Sequence, residues 1–513
     1  MRKAMVVLLL AVTVTPLFAG NNSEYISIPF NVSLWRNLSI GDALARSGQK
    51  KVSVNGLALG LVAGRSAKLR GIDLSIISSE YTEDVWGAQA SGLCNVVSGD
   101  ASALQISGLC NVVEGSLKGV QLTGLVNVVD GDVNVAQISG LANVVDGDVN
   151  AAQISGLANV VDGGMGGFQA SGLTNVVDGD VNAAQISGLA NVVDGRMNGF
   201  QASGLANVVD REVRGAQVSG LVNVTDGSLT GIQASGLVNV NDGNVFGTQV
   251  SALMNITHGE LHGAQFAGFL NLTDSDIRGA QLGGIFNVNI GDLQGVQICG
   301  LLNAAIGSVR GMQISGFYNR TVGDFSGLQS SGFLNKVDTL KAGIQLGVIN
   351  ISRKNHGLAL GLVSYVEEVG LEGEISSDET RFFRAGLRSG TKKFYNLFSL
   401  GFRPGDPFRW SFDWGFGSHL ELTDISALEI GLLASHINES KFWTDKTNLL
   451  ARFQLSGVFK LSNGLTLFAG PSFNFWLSGK SDGSDIAPWS VYDRKSGGKW
   501  IRLWPGLTAG IRF

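Results

Sequence analysis

The stretch VAQISGLANVVDGDVN, from Val135 to Asn150, decides the fold. Its glutamine belongs to a series that runs from Gln89 to Gln345 at every sixteenth position, 17 glutamines over 256 residues with no insertion or deletion. Six residues after each of the first 16 stands asparagine, from Asn95 to Asn335, and three after stands glycine, except at Ala252. The next slot is leucine, or on occasion phenylalanine or isoleucine, as at Phe269 and Ile285. The unit at Gln345 departs from the pattern, with Val348 in the glycine slot. The string GLALGLV precedes the array from Gly56 and follows it from Gly357, which points to a relationship between the two flanks.

Each unit is too short for a pair of helices, and its glycines and β-branched residues disfavour helix. Around Gln153 the residues alternate, Ala152 and Ile154 apolar against Gln153 and Ser155 polar. Asn159, Val160 and Val161 follow, and Asp162-Gly163 supplies a turn. One or two short strands closed by a turn suit two all-β architectures. In a parallel β-solenoid each unit is one coil, and like positions stack about 4.8 Å apart. In one large transmembrane β-barrel each unit is a strand plus a turn. Barrel neighbours are antiparallel, so successive turns lie on opposite sides of the membrane and nothing holds both sets to one length and one sequence. An insertion in a solenoid breaks every stack it crosses, which explains the strict period and favours that fold. Gln153, Asn159, Gly156 and Leu157, with their equivalents every 16 residues, are then structural ladders, the amides bonding to their like and the leucine slot forming core.

Cys94 and Cys110 become ladder neighbours within reach of a disulfide. Three cysteines are too few for a disulfide scaffold, and all three, Cys299 included, read as small buried residues.

The array from Gly87 to Val337 carries 19 acidic and 8 basic residues. Aspartate fills one turn slot in eight consecutive units: Asp130, Asp146, Asp162, Asp178, Asp194, Asp210, Asp226 and Asp242. Like charges one strand apart repel unless they are solvated or neutralised by cations. This row is the candidate calcium edge, set against the simpler and preferred reading that Asp-Gly suits a turn facing water.

Residues 1–19, MRKAMVVLLLAVTVTPLFA, have the layout of a secretory signal peptide. Residues 20–86 read as an N-terminal β segment with degenerate repeats, 87–352 as the repeat array, and 353–513 as an antiparallel, barrel-like domain. That last region holds seven of the nine tryptophans, beyond residue 400. Its segments FRWSFDWGFGSHLEL from Phe408 and NLLARFQLSGVFKLS from Asn448 alternate in the manner of outer-membrane strands, and the chain ends on Phe513. About seven strand candidates follow Phe382, and YISIPFNVSLW from Tyr25 is a candidate eighth. A soluble antiparallel sandwich is the alternative.

The chain resembles the bacterial surface repeat-containing family. The resemblance is carried by GVQLTGLVNVV from Gly119, GIQLGVINISRKNHGLALGLVSYVEE from Gly343 and RAGLRSGTKKFYNLFSLGF from Arg384. It implies a location, the bacterial outer membrane or cell surface, more than an activity.

Composition narrows the function. With 44% hydrophobic residues the chain can bury a core, and a net charge of -5 gives no footprint for nucleic acid. No nucleophile elbow, phosphate loop or paired CxxC stands in the sequence, and His258 and His262 read as solvated turn residues. The expectation is a non-enzymatic structural or adhesive surface protein without cofactor, bound to outer-membrane lipid through its C-terminal domain. An outer-membrane pore or transport barrel is the alternative.

Overall fold

A computed structural model describes residues 24–46, 50–391, 393–462, 464–479 and 486–513. The signal peptide expected over 1–19 lies outside the described residues. The chain divides into two compact units, Met1–Ser275 and Asp276–Phe513.

The first unit is a parallel β-solenoid. Ala152–Ser155 pairs in parallel with Ala136–Ser139 on one side and Phe168–Ser171 on the other, keeping Gln137, Gln153 and Gln169 in register. Ala158–Val161 does the same with Ala142–Val145 and Thr174–Val177. One repeat is therefore one coil. Parallel pairing between residues 16 apart is incompatible with one antiparallel barrel strand per repeat. A third side is held by single bridges such as Val149 to Met165, and from Met197–Ser203 onward it merges with the glutamine strand.

Tyr25–Trp35 does not complete a barrel. It pairs in parallel with Lys51–Gly60, Tyr25 opposite Lys51 and Ser33 opposite Gly60, and so forms part of the first coil. Its alternation serves the solenoid, turning Ile28, Asn31 and Ser33 inward. The helix Ile40–Arg46 is capped by Ser39, whose Oγ accepts from Asp42 N at 3.0 Å. It is tied to the edge strand by Gly41 N donating to Asn31 Oδ1 at 3.0 Å, and it shields an edge that would otherwise template further pairing.

The second unit opens on coils of the same kind, with Gln281, Gln297 and Gln313 in register. The coils end at Val363–Val366, where Asn350 lies opposite Ser364. An antiparallel ring follows: Leu371–Asp378, Phe383–Gly390, Tyr395–Arg403, Arg409–Glu421, Ser426–Glu439, Asn448–Ser462, Leu465–Ser478 and Lys499–Arg512. Each strand pairs with the next. Glu374 opposite Arg512 and Ile375 opposite Ile511 close the ring, which is thus a barrel of eight strands among the described residues. The eighth strand is Leu371–Asp378, just upstream of Phe382.

Candidate functional site

Inside each coil the walls are polar. Gln153 and Asn159 have no exposure to solvent. Gln153 Nε2 donates to Gln137 Oε1 at 2.8 Å. Asn159 Nδ2 donates to Asn175 Oδ1 and to the carbonyl of Ala170, each at 2.9 Å. Buried amides are tolerated because each finds partners one coil away. Val161 and Met165 complete the core. Gly156 is glycine by necessity: a Cβ there would stand 2.0 Å from the carbonyl oxygen of Gly140.

Leu157 is not core. It is 43% exposed, at the corner between the two strands of its coil. Ile154 also faces outward, and Ala158 and Val160 are half-buried on the outer surface. The strands do alternate with period two, but their polar members face in and their apolar members face out. Two sides and one corner of the coil therefore present an apolar surface.

The opposite corner is acidic. Asp130, Asp146, Asp162, Asp178, Asp194, Asp210, Asp226 and Asp242 are all exposed. Aspartates two residues further on have a different task, since Asp148 Oδ1 accepts from Gly164 N at 2.7 Å and Asp132 Oδ1 from Asp148 N at 2.9 Å. Among the described residues no group of three or more His, Cys, Asp or Glu is placed to hold a metal ion. His258 and His262 meet separate carboxylates, Asp242 at 2.7 Å and Glu260 at 3.0 Å. Cys94 and Cys110 are joined as a disulfide rather than merely stacked, while Cys299 is free and buried.

At the start of the glutamine ladder Asp73 takes the amide's place, opposite Gln89. It accepts from Ser75 Oγ at 2.7 Å, Ser79 Oγ at 2.9 Å and the Tyr81 hydroxyl at 2.6 Å. Burial raises its carboxyl above the ordinary range despite these three donors. Burial, then the charge and hydrogen bond of Asp73, pushes the Tyr81 phenol up.

The barrel repeats the inversion. Along Asn448–Ser462, Asn448, Arg452, Gln454 and Ser456 are buried, whereas Leu449, Phe453 and Phe459 are exposed. The lumen holds two charged layers. In one, Glu429 takes Arg388 at 2.7 Å and Arg512 at 2.6 Å, and Arg512 also reaches Glu374 at 2.9 Å. In the other, Asp378 pairs with Arg452 and Asp413 with Arg381. Ala427, Val458 and Phe468 pack at one end, and Ile437, Leu450, Trp476, Ile486 and Trp504 at the other. None of these charged residues was singled out from the sequence. Their signal was present: Arg452 in LLARFQL and Asp413 in SFDWGF sit on the same parity as Gln454 and Ser411, opposite the aromatic residues.

The last coil rests on the outside of this wall. Trp414 Nε1 donates to the carbonyl of Leu362 at 3.4 Å. With its amide turned to satisfy both ends, Asn396 donates to Gly361 O at 3.0 Å and accepts from Ser364 N at 3.1 Å. The chain matches no family model, no curated protein and no solved structure.

Proposed function

We propose that the protein is a non-enzymatic structural or adhesive repeat protein, exported and held in the bacterial outer membrane by its C-terminal barrel. The observation that carries this reading is the burial of the barrel, with charge inside and Phe453, Leu467 and Phe473 outside. Apolar surface left in water costs about 25 cal/mol per Å², whereas a closed ring of strands satisfies its backbone internally and suits lipid. The same inversion weighs against a soluble sandwich, whose apolar faces would be turned together. It also favours an anchor over a pore, because Arg384, Arg452, Trp476 and Trp504 fill the lumen with little or no exposure. In the turns of the coils, the aspartates sit in exposed corners or accept from neighbouring backbone amides, an arrangement that serves turns rather than acid–base chemistry. The location implied by the resemblance to the surface repeat-containing family agrees with this reading.

Membrane fractionation with detergent extraction tests it. The intact protein is expected in the outer-membrane fraction, with heat-modifiable mobility on gels. Deletion of Phe513, whose backbone pairs with Gly373 at 2.8 and 3.0 Å, should lower assembly. Recovery of the intact chain as a soluble periplasmic or secreted species would overturn the anchor.

A further inference from the structure

Among the described residues of the second unit, nothing covers the apolar side of its coils. Leu301, Phe317, Phe333 and Val348 are each at least 40% exposed in consecutive coils, and Phe317 stacks on Phe333 with ring centroids 5.1 Å apart. Contiguous apolar surface of this kind marks contact with protein or membrane. Three observations choose between them.

The first is where the coils begin relative to the barrel. Val363–Val366 packs against Phe383–Gly390 and Tyr395–Arg403, on the barrel's outer wall. Ser389 and Asn396 point outward on those strands yet are buried, because the last coil covers them. The coils of this unit therefore leave the barrel from its side, not from its mouth. In a barrel embedded in a bilayer, such coils start beside the lipid.

The second is the cross-section. The apolar corner is flanked by Arg320 and Lys336, exposed and in register on adjacent coils, while the exposed Asp292 and Arg310 lie on the polar side of their coils. Apolar side chains bordered by cations suit the headgroup boundary of an anionic leaflet.

The third fixes the leaflet. The strand ends Gly390 and Tyr395, Glu421 and Ser426, and Ser462 and Leu465 lie at the end that holds both Leu371 and Phe513, with few residues between the members of each pair. At the other end more residues separate Arg403 from Arg409, Glu439 from Asn448, and Ser478 from Lys499, whose neighbour Tyr492–Ser496 extends the wall, while four residues join Asp378 to Phe383. Outer-membrane barrels put short turns in the periplasm and long loops outside.

We infer that the apolar side of these coils is a lipid-binding surface, seated on the phospholipid leaflet that faces the periplasm. The inference rests on the reading of the barrel as a membrane anchor. It sets these coils, from Asp276 onward, on the inner side of the outer membrane rather than on the cell surface.

The test uses the full chain in a Cys299→Ser background, reconstituted in phosphatidylethanolamine–phosphatidylglycerol vesicles. Phe317→Cys, Arg310→Cys and Phe453→Cys each carry a bimane label. Labels at 317 and 453 should emit to the blue and be quenched by nitroxide lipids, whereas a label at 310 should be quenched by iodide alone. Lipid quenching at 453 with iodide quenching at 317 overturns the surface and leaves the anchor standing. Iodide quenching at 453 removes the anchor, and the inference with it. Shielding of 317 that disappears as protein is diluted in lipid assigns the face to a second copy and overturns the inference. In intact cells an impermeant maleimide should label Phe442→Cys, in the 440–447 connection, and should label Arg310→Cys only after the outer membrane is permeabilised. Labelling of Arg310→Cys in intact cells overturns the leaflet assignment.

Discussion

Gln153 donates from Nε2 to Gln137 Oε1 at 2.8 Å, one coil back toward the N-terminus. Asn159, on the other strand of the same coil, donates forward to Asn175. The two amide ladders therefore run in opposite senses, and their dipoles oppose one another inside a low-dielectric core. The unpaired acceptors fall where this polarity requires, at Asn95 Oδ1 where the forward ladder starts in the first unit, and at Gln345 Oε1 where the backward ladder stops in the second.

Replacing Gln153 with Ala should cost far more stability than replacing Leu157 with Asp. The first change strands Gln137 Oε1 and Gln169 Nε2 in a closed core, at roughly 1–3 kcal/mol for each group left unpaired. The second alters an exposed corner and should stay within about 0.5 kcal/mol in detergent. Denaturant midpoints and protease resistance of the full chain measure both. A larger loss for Leu157→Asp in detergent would put the leucine back in the core.

The coil was legible because a strict period of 16 has few structural explanations. Its inside and outside were not. A period-two pattern states that Gln153 and Ile154 face opposite ways, and leaves open which of them meets the core. Reading Leu157 as core applied the rule for proteins in water, and both the coil and the barrel break that rule. The alternating aromatic residues made the barrel strands beyond Phe382 readable one by one, whereas Leu371–Asp378, LEGEISSD, has none and was missed. The pairs Arg452–Asp378 and Arg381–Asp413 were not readable, because they join positions distant in sequence that only the closed ring brings together.

Gly156→Ala should destabilise its coil although alanine is small. The added carbon meets the Gly140 carbonyl at 2.0 Å, and backbone cannot move aside as a flexible side chain can. Overpacking of this kind costs about 1–3 kcal/mol. Limited proteolysis around residues 150–165 reads the effect, and Ala158→Gly is the control, expected to lose under about 1 kcal/mol. Indifference to Gly156→Ala would mean that the coils stack less closely.

Asp73→Asn should stabilise the N-terminal coils at neutral pH. Folding raises the Asp73 carboxyl pKa, so the folded state holds the proton more tightly than the unfolded state does. The resulting stabilisation is complete below the unfolded value of about 3.9 and is lost as pH rises through the folded value. At neutral pH the buried carboxylate is therefore a cost, which the amide removes. Hydrogen exchange over residues 68–90, compared at pH 7 and pH 4, should show an advantage for Asn that shrinks on acidification. Parallel profiles for the two proteins would contradict this account.

Glu429→Gln should weaken the barrel more than an outward change such as Leu467→Ala. Glu429 bonds Arg388 and Arg512 at 2.7 and 2.6 Å inside the lumen. Removing its charge leaves Arg512 with Glu374 and Arg388 with Glu372 as their remaining carboxylates, and because breaking a buried pair costs about 3–5 kcal/mol when nothing compensates the charge left, the loss should fall below that. The temperature at which the folded gel band converts to the unfolded one should fall for Glu429→Gln. An unchanged conversion temperature would indicate that water reaches this layer.

Deleting one whole repeat, Gln153 to Phe168, should leave a folded protein, whereas deleting Gln153 to Val160 should not. The whole deletion brings Gln169 against Gln137, Asn175 against Asn143 and Val181 against Val149, so each ladder closes on its own kind. In a solenoid each coil contacts only its neighbours, so nothing further along is disturbed. The half deletion sets Val161 in the glutamine slot and carries Gln169 into the slot that Val161 held. From there onward every amide faces a position built for valine or for the third side of the coil, and each buried amide without a partner costs roughly 1–3 kcal/mol. Protease resistance of the two deletants in membranes separates them. Loss of resistance on removing the full 16 residues, with survival after removing eight, would be irreconcilable with coils stacked one per repeat.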